Sequence, residues 1–400
     1  MSLAAEQPAE IVQSYPANAA LETSLVARLG MRTVTGEHWD VALAGFDGAV
    51  QEQVYAFARS RWPSVQHEPL LFTLGDEVVG GTLVMVQPLP LRVSALAVVK
   101  WGPILRDESR LDAETLHRGM VEKLIETYAN KRGMMLSIMP RASTGPNNAR
   151  FAHLLERGFS RSSGLLFPNR YIVNLRLEDA ALRKSFHQKW RYHLNKSEKQ
   201  NLVFERGEPE RIGEFDALYS AMTDRKKFPD HSAYDTVSAL MGVADPALRP
   251  ELFFVRQGGD VVAGALIWKA GKTAVYLYGA TNDRALPLRA GYFMHWHIIR
   301  WLRDNTGADW YDLGGTDGFH GLHQFKKGMV GEAGVIEPVP PVANFASQPL
   351  AWVLGNAAYR ARDAAQHLRR WMERSRQGMA KPDQSRPDDN KSEPAGGEGQ

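Results

Sequence analysis

The sequence contains no cysteine, and this absence excludes several classes of protein at once. Disulfide-stapled scaffolds, thiolate zinc sites, iron–sulfur clusters and cysteine nucleophiles all require a thiol. Long apolar runs are also missing, because the longest, Leu70–Leu74 and Val78–Val86, are strand-sized, whereas a membrane-spanning helix needs about 18 or more apolar residues. The N-terminus shows neither the basic nor the apolar region of a signal peptide. We therefore expect a soluble, cytoplasmic chain.

Charge and motif searches narrow the possibilities further. The chain has 48 Lys and Arg against 45 Asp and Glu, a formal net charge of +3, which is too small to indicate nucleic-acid or membrane binding by itself. No Gly-x-Ser-x-Gly elbow, Walker A loop, His-Glu-x-x-His or dinucleotide-binding glycine motif is present. His320 and His323 lie near Asp312 and Asp317, but their spacing fits no familiar zinc signature. We predict no metal site and no tightly bound cofactor.

A pattern of strands, helix and further strand occurs twice. In the first pass, three strands between residues 68 and 101 precede a helix at Ala113–Lys131, a strand at Met134–Met139 and a last strand at Arg170–Leu175. In the second, three strands between residues 251 and 280 precede a helix that ends near Asp304 and a strand at Trp310–Leu313. This order predicts an α+β fold with two related halves, each a mixed, mostly antiparallel sheet flanked by helices.

The predicted domain organisation follows from this repeat. The tail is rich in Pro, Asp, Ser and Gly and has no large apolar residue, so it cannot offset the entropy of ordering. The predicted segments are an N-terminal extension at 1–36, a first domain at 37–172, a second domain at 173–345 that includes a basic junction helix at 179–200, a basic C-terminal helix at 346–379 and a disordered tail at 380–400.

Two basic helical segments could contact anions. The junction helix carries Arg191 and Lys196 among other basic residues, interleaved with Trp190 and Tyr192, a combination that suits a phosphate or the end of a nucleic acid. A solvated basic helix over the domain junction fits equally well. The C-terminal helix is amphipathic and rich in arginine, so it could lie on an anionic membrane surface or polyanion, or pack on the core.

The strongest local signal lies near the end of the second half. A strand ending in Asp312, Leu313, Gly314 and Gly315 leads through a glycine-rich loop to the segment 325–328, Phe-Lys-Lys-Gly. Glycines let a substrate approach the backbone, and the lysines add positive charge beside that opening. The alternative is a glycine loop with solvated lysines. A second segment, 284–291, precedes a helix and offers backbone N–H groups to an anion.

These residues resemble a known family. The segment contains a helix, a strand with the sequence Trp-Tyr-Asp-Leu-Gly-Gly, a loop and then Phe-Lys-Lys-Gly-Met-Val-Gly-Glu. This order is similar to that of the Fem-type aminoacyltransferases, the peptidoglycan interpeptide-bridge enzymes built from two GNAT-like (N-acetyltransferase) halves. Residues 277–281, the junction helix and Trp101-Gly102-Pro103 support the resemblance, which covers about residues 40–340.

The resemblance implies acyl transfer without a covalent enzyme intermediate. An amine on a peptidoglycan precursor would attack the ester of an aminoacyl-tRNA, and Lys326 would be the catalytic residue that stabilises the developing oxyanion or a phosphate. The implied partners are the acceptor end of aminoacyl-tRNA, a nucleotide- or lipid-linked cell-envelope precursor and the inner face of the membrane. The expected substrate-binding residues are Arg225, Tyr278, Phe325, Asp312, Gly314, Gly315, Arg191 and Lys196.

Departures from the family keep two alternatives open. The acceptor-binding lysine of some members has no counterpart in Gln51–Pro63, and the chain has no room for their long helical hairpin. One alternative is an acyl-CoA-dependent N-acyltransferase that acts on an amino sugar or a lipid-linked precursor of an exported polysaccharide or glycolipid. The other is a non-catalytic polyanion-binding protein.

Overall fold

The computed structural model describes residues 25–89, 93–226 and 233–379. Residues 1–24 of the predicted extension and the predicted tail at 380–400 lie outside this part of the chain. Two compact units are defined by their internal contacts, residues 1–355 and residues 356–400. Both predicted halves fall within the first unit.

The first half is built on a sheet with the strand order β1-β2-β3-β4-β6-β15-β7, with β5 paired to β3. All its neighbouring pairs are antiparallel except the parallel pair β4 and β6. Its strands are β1 Leu29–Thr33, β2 Gln66–Leu74, β3 Glu77–Pro88, β4 Ala95–Lys100, β5 Ile104–Leu105, β6 Met135–Met139, β7 Ser160–Arg161 and β15 Ala343–Phe345. Its helices are α1 Gly36–Leu43, α2 Tyr55–Arg61, α3 Ala113–Leu124 and α4 Ala149–Glu156.

The second half is built on a seven-stranded sheet with the order β14-β8-β13-β12-β11-β10-β9. Here β12 and β13 are the parallel pair, and the other pairs are antiparallel. Its strands are β8 Asn169–Asn174, β9 Leu202–Gly207, β10 Glu251–Gln257, β11 Asp260–Trp268, β12 Thr273–Thr281, β13 Trp310–Asp312 and β14 Val335–Pro338. Its helices are α5 Asp179–Ser185, α6 Gln188–Ser197, α7 Ile212–Lys226, α8 Val237–Met241, α9 Ala285–Leu288, α10 Ala290–Asn305 and α11 His320–Val330.

The two halves exchange strands, which corrects two of the predicted assignments. The strand predicted at Arg170–Leu175 as the end of the first half is β8, and it pairs with β13 and β14 of the second sheet. The first sheet is completed instead by β15 from the far end of the unit, inserted between β6 and β7. The predicted boundary at 172/173 thus falls inside one strand.

The predicted N-terminal extension also contains regular structure. Residues 29–33 form β1, which pairs with β2 along its whole length, and Leu29 is buried in the first core. The assignment of these residues to an extension is therefore wrong, because backbone pairing and apolar burial hold them in the sheet.

The junction segment forms two helices rather than the single predicted one. The chain is extended at Phe186, with φ −63° and ψ 149°, and this residue separates α5 from α6. Its ring is fully buried against Trp190 and Trp296. Burial of this aromatic side chain accounts for the interruption.

The halves pack directly on each other around one shared apolar cluster. Trp39 and Phe57 from the helices of the first half lie in the same buried cluster as Leu240 and Trp268 from the second. Close by, the turn between β11 and β12 presses Gly271, at φ +76°, against the backbone of residues 47–49. This contact brings one end of each sheet to a common space between the halves.

The last helix, α12, spans Pro349–Met379 and agrees with the helix predicted there. Leu368 and Met372 are exposed on its second-unit portion. Among all the helices that the structure describes, none has the length and apolar content that crossing a membrane would require.

Candidate active site

A cavity of about 860 Å³ lies between the two halves. The first half contributes Trp101, Arg141 and Arg150 to its wall, and the second contributes Arg170 and the segment from Asp312 to Gly315. Its volume falls in the range of roughly 300–1,000 Å³ that is typical of small-molecule sites. The predicted site residues Asp312, Gly314, Gly315 and Lys326 all line this cavity.

Lys326 reaches the cavity from α11. On the same helix Gly328 packs against the Trp190 side chain, and Met329 and Val330 are buried in the second core. This packing fixes the rotation of the helix, so that Lys326 is only 6% exposed while Lys327 points to solvent. Of the two lysines expected beside the glycine loop, Lys326 is therefore buried and Lys327 is exposed.

The Lys326 ammonium group is held by backbone carbonyls. Nζ donates to the carbonyl of Leu313 at 2.6 Å and to that of Gly315 at 2.5 Å. An ammonium group has three N–H donors, so these two bonds leave one donor for a group in the cavity. The Tyr276 ring lies below, with its centroid 6.0 Å from Nζ.

Burial and a neighbouring guanidinium alter the ionisation of Lys326. Desolvation, reinforced by the positive charge of Arg170, lowers its pKa from 10.5 to about 8, against the opposing effect of Asp312 and Asp317. A lysine with this pKa is still mostly protonated at neutral pH. The site therefore presents a positive charge at its floor.

An ion pair beside Lys326 fixes the glycine loop. Arg170 on β8 donates through Nε and Nη2 to Asp312 on the neighbouring strand β13, with the shortest N–O distance 2.8 Å. Asp312 also accepts the backbone N–H of Gly314 at 2.9 Å. Gly314 has φ +77°, a conformation that favours glycine, and this lets the loop turn its carbonyls toward Lys326.

A second polar pair, His295 and Tyr311, is buried near Lys326. His295 is fully buried on α10, where burial and the charge of Lys326 lower its pKa to about 3, so the ring is neutral. Its Nδ1 lies 3.1 Å from the Tyr311 hydroxyl. A neutral imidazole here adds no further positive charge to those of Lys326 and Arg170.

Five predicted substrate-binding residues do not line the cavity. Arg225 pairs with Asp283 and the carbonyl of Thr281, and Tyr278 packs on Tyr234 within a separate apolar cluster. Phe325 contacts Tyr292 and His295 in the second core.

The junction-helix residues are also placed elsewhere. Arg191 donates to the carbonyls of Lys184 and Phe186, where it satisfies the end of α5. Lys196 is exposed on α6. These residues are outside the cavity wall, and their predicted roles in substrate binding remain predictions.

The two histidines that follow the glycine loop lie on the first turn of α11 and have structural partners. The Tyr171 hydroxyl lies 2.6 Å from Nδ1 of His323, and the rings of His320 and His323 are 6.5 Å apart. Within residues 25–89, 93–226 and 233–379, no group of three or more His, Asp or Glu side chains is arranged to hold a metal ion.

The sequence reasoning missed Arg141, Arg170 and Tyr276. Arg141 follows β6, Arg170 is the second residue of β8 and Tyr276 lies within β12. Their presence in one cavity depends on the pairing of distant strands. No local motif marks them. The burial of Lys326, by contrast, had a local signal, because Met329 and Val330 follow it at helical spacings of three and four.

Comparisons with known proteins identify the fold class. The family described as Acetyltransferase (GNAT) domain matches residues 184–327. The crystal structure of FemX superposes with a TM-score of 0.65 over 81% of this chain and 99% of that one, at 17% identity. A conserved protein of unknown function from Bacteroides thetaiotaomicron superposes with a TM-score of 0.51 over 79% of this chain and 98% of that one, at 14% identity. The chain has a tandem GNAT-like fold.

Sequence similarity to the Fem-type family is local. A stretch of 76 residues is 36% identical to the lipid II:glycine glycyltransferase of Staphylococcus saprophyticus, which is 17% of this chain and 18% of that relative. The protein of the same description from Staphylococcus aureus is 34% identical over 76 residues, with the same coverage. The chain thus spans about a fifth of the length of these relatives. These findings confirm the resemblance to the Fem-type family that the sequence predicts.

Proposed function

We propose that this protein is a Fem-type N-acyltransferase that joins an aminoacyl group to an amine of a peptidoglycan precursor in the cavity between its halves. The observation that carries the proposal is the placement of Lys326. Its ammonium group is buried at the cavity floor, is held by two carbonyls and keeps one N–H donor for a ligand. The local identity to lipid II:glycine glycyltransferases supports a cell-envelope precursor as the acceptor.

The geometry fits an attack of an amine on an activated ester. The amine nitrogen forms a bond to the ester carbonyl carbon, and negative charge develops on the carbonyl oxygen. The free N–H of Lys326 donates to that oxygen, and a fixed donor of this kind contributes about 10²–10³ in rate. Collapse of the intermediate breaks the bond to the ribose oxygen of the tRNA end, and the proton lost by the amine passes to that leaving oxygen.

A second candidate keeps the fold and changes the donor to acyl-CoA. It is favoured by the match to an acetyltransferase family and by Arg289, which precedes the N-terminus of α10. Arg289 Nε is buried and, within the described part of the chain, has no hydrogen-bond partner. Donors at a helix N-terminus suit the phosphates of coenzyme A.

The two donors are separated by one experiment. Purified protein is incubated with either a mixture of aminoacyl-tRNAs or acetyl-CoA, together with nucleotide-linked and lipid-linked muropeptide, and the products are measured by mass spectrometry. The first proposal predicts an amide product with aminoacyl-tRNA only. If product forms with acetyl-CoA only, and the Arg289→Glu variant forms none, the first proposal is contradicted and the second candidate is supported. Turnover with neither donor would contradict both and favour polyanion binding without catalysis.

A further inference from the structure

Arg141 is a cation in the cavity wall whose guanidinium group has no hydrogen-bonded or ion-paired partner among the described residues. It follows β6 and lines the cavity, yet among the residues that the structure describes its guanidinium group makes no hydrogen bond or ion pair. Arg141 is half-buried in this wall, and the partial loss of solvent lowers the pKa of its guanidinium group. A guanidinium group has five N–H donors and no acceptor. A guanidinium group whose donors have no hydrogen-bond acceptor favours an anionic ligand.

The neighbouring carboxylates are already engaged by other cations. Asp312, Glu108 and Glu52 interact electrostatically with Arg141. Asp312 is held by Arg170, and Glu108 by Arg150.

The third carboxylate has a cation as well. Glu52 lies 3.6 Å from Lys100. Elsewhere the cavity wall carries Asp47, Glu114, Asp309 and Asp317 as well as Lys272 and Lys326, so anion binding is expected at Arg141 and not along the whole wall.

The backbone at Arg141 is fixed, so its side chain starts from a defined position. The carbonyl of Arg141 accepts a hydrogen bond from Asn148 Nδ2 at 2.8 Å. Asn148 also caps α4, with Oδ1 accepting the N–H of Phe151 at 3.0 Å. Because the loop is tied to a helix, binding a ligand at Arg141 costs little backbone entropy.

The geometry points to Arg141 as the centre of an oxyanion-binding subsite that holds a phosphate or carboxylate group of the acceptor substrate. A guanidinium fork binds either group with two parallel hydrogen bonds. Arg141 and Lys326 line the same cavity, so an anionic group bound at Arg141 would hold the acceptor in the space that Lys326 also lines. The inference rests on the proposed acyl transfer for the identity of the substrate, but its test requires binding only.

The test is calorimetric titration of the full chain with two probes, inorganic pyrophosphate and a short peptide with a free C-terminal carboxylate. We expect Arg141→Gln to weaken binding about 10- to 100-fold, the effect of losing a charged hydrogen-bonding partner. Arg141→Lys should lose less because it keeps the charge but not the fork. Arg59→Gln, a change at an exposed arginine outside the cavity, should bind as the wild type does.

The outcomes distinguish the source of the anion. If Arg141→Gln loses affinity for pyrophosphate only, the subsite binds phosphate. If it loses affinity for the peptide only, the subsite binds a carboxylate. In that case the same peptide with a C-terminal amide should bind the wild type as weakly as the free peptide binds Arg141→Gln. Equal binding by wild type and Arg141→Gln, or no saturable binding of either probe to the wild type, would overturn the inference. An unchanged melting temperature of Arg141→Gln excludes unfolding as the cause. If anion binding depends on Arg141 but the wild type transfers no acyl group with any donor, the proposed function is contradicted and the subsite is still supported.

Discussion

Replacing Lys326 by methionine should change how protein stability depends on pH. In the folded chain the pKa of Lys326 is about 8, against an ordinary value of 10.5, because the group is buried near Arg170. Between these two values the unfolded chain carries the proton more often than the folded chain. The free energy of unfolding therefore rises with pH across this window, and the contribution disappears when the lysine is removed.

The size of this effect follows from the two pKa values. Each pH unit between them is worth at most about 1.4 kcal/mol. Because the folded-state value is about 8, little changes below pH 8. From pH 7 to pH 9, the wild type should gain about 1 kcal/mol relative to Lys326→Met.

The assay is urea unfolding of both proteins at pH 7 and pH 9, with Lys327→Met as the matched control. Lys327 is the next residue of the same helix and is exposed, so its replacement should leave the pH dependence of the wild type in place. The difference between wild type and Lys326→Met isolates the titration of one group from all others. If that difference is the same at both pH values, Lys326 is not desolvated and the reasoning about its charge is refuted.

Two further predictions concern the scaffold of the site. Gly331→Ala should destabilise the protein by about 2 kcal/mol or more, because its φ is +61° and a Cβ would lie 2.1 Å from the Ser185 carbonyl oxygen. The control Gly321→Ala, in open space on α11, should be neutral or stabilising. Equal denaturation midpoints for the two variants would contradict the packing described here. Asp312→Ala should lower the free energy of unfolding by about 3 kcal/mol because it leaves Arg170 without its partner. The double variant with Arg170→Met should recover part of that stability in urea unfolding. Strictly additive effects of the two substitutions would show that the pair is not coupled.

Much of the element order could be predicted from local sequence. The three strands predicted between residues 251 and 280 are present at Glu251–Gln257, Asp260–Trp268 and Thr273–Thr281. Their apolar runs and the glycine turns between them are signals within a few residues. The helix predicted at Ala113–Lys131 is α-helical only to Leu124 and continues as a π-helix over Ile125–Lys131.

The strand exchange could not be predicted in this way. The pairing of β8 with β14 and of β6 with β15 joins residues that are 160 or more positions apart in sequence. Periodicity defines which residues form a strand, but not which distant strand is its neighbour. The same limit applies to the cavity, since Arg141 and Arg170 meet only because the two sheets are brought together.

The resemblance to Fem-type proteins located the glycine loop and Lys326, which lie within one short stretch of sequence. Other residues expected from the resemblance lie elsewhere in the structure. Arg225 and Tyr278 were assigned by similarity of short segments, and the structure places both outside the cavity. Tyr276, two residues before Tyr278, lines the cavity instead, and a bulge in β12 between the two changes the face that each presents.

The most direct test of the central claim is the rate of acyl transfer by Lys326→Met, with Lys327→Met measured in parallel under the donor and acceptor conditions that give product with the wild type. If the buried ammonium group stabilises the oxyanion, Lys326→Met should lose about 10²- to 10³-fold in rate, while Lys327→Met should stay near the wild-type rate. A folded Lys326→Met protein that transfers the acyl group as fast as the wild type would contradict the account.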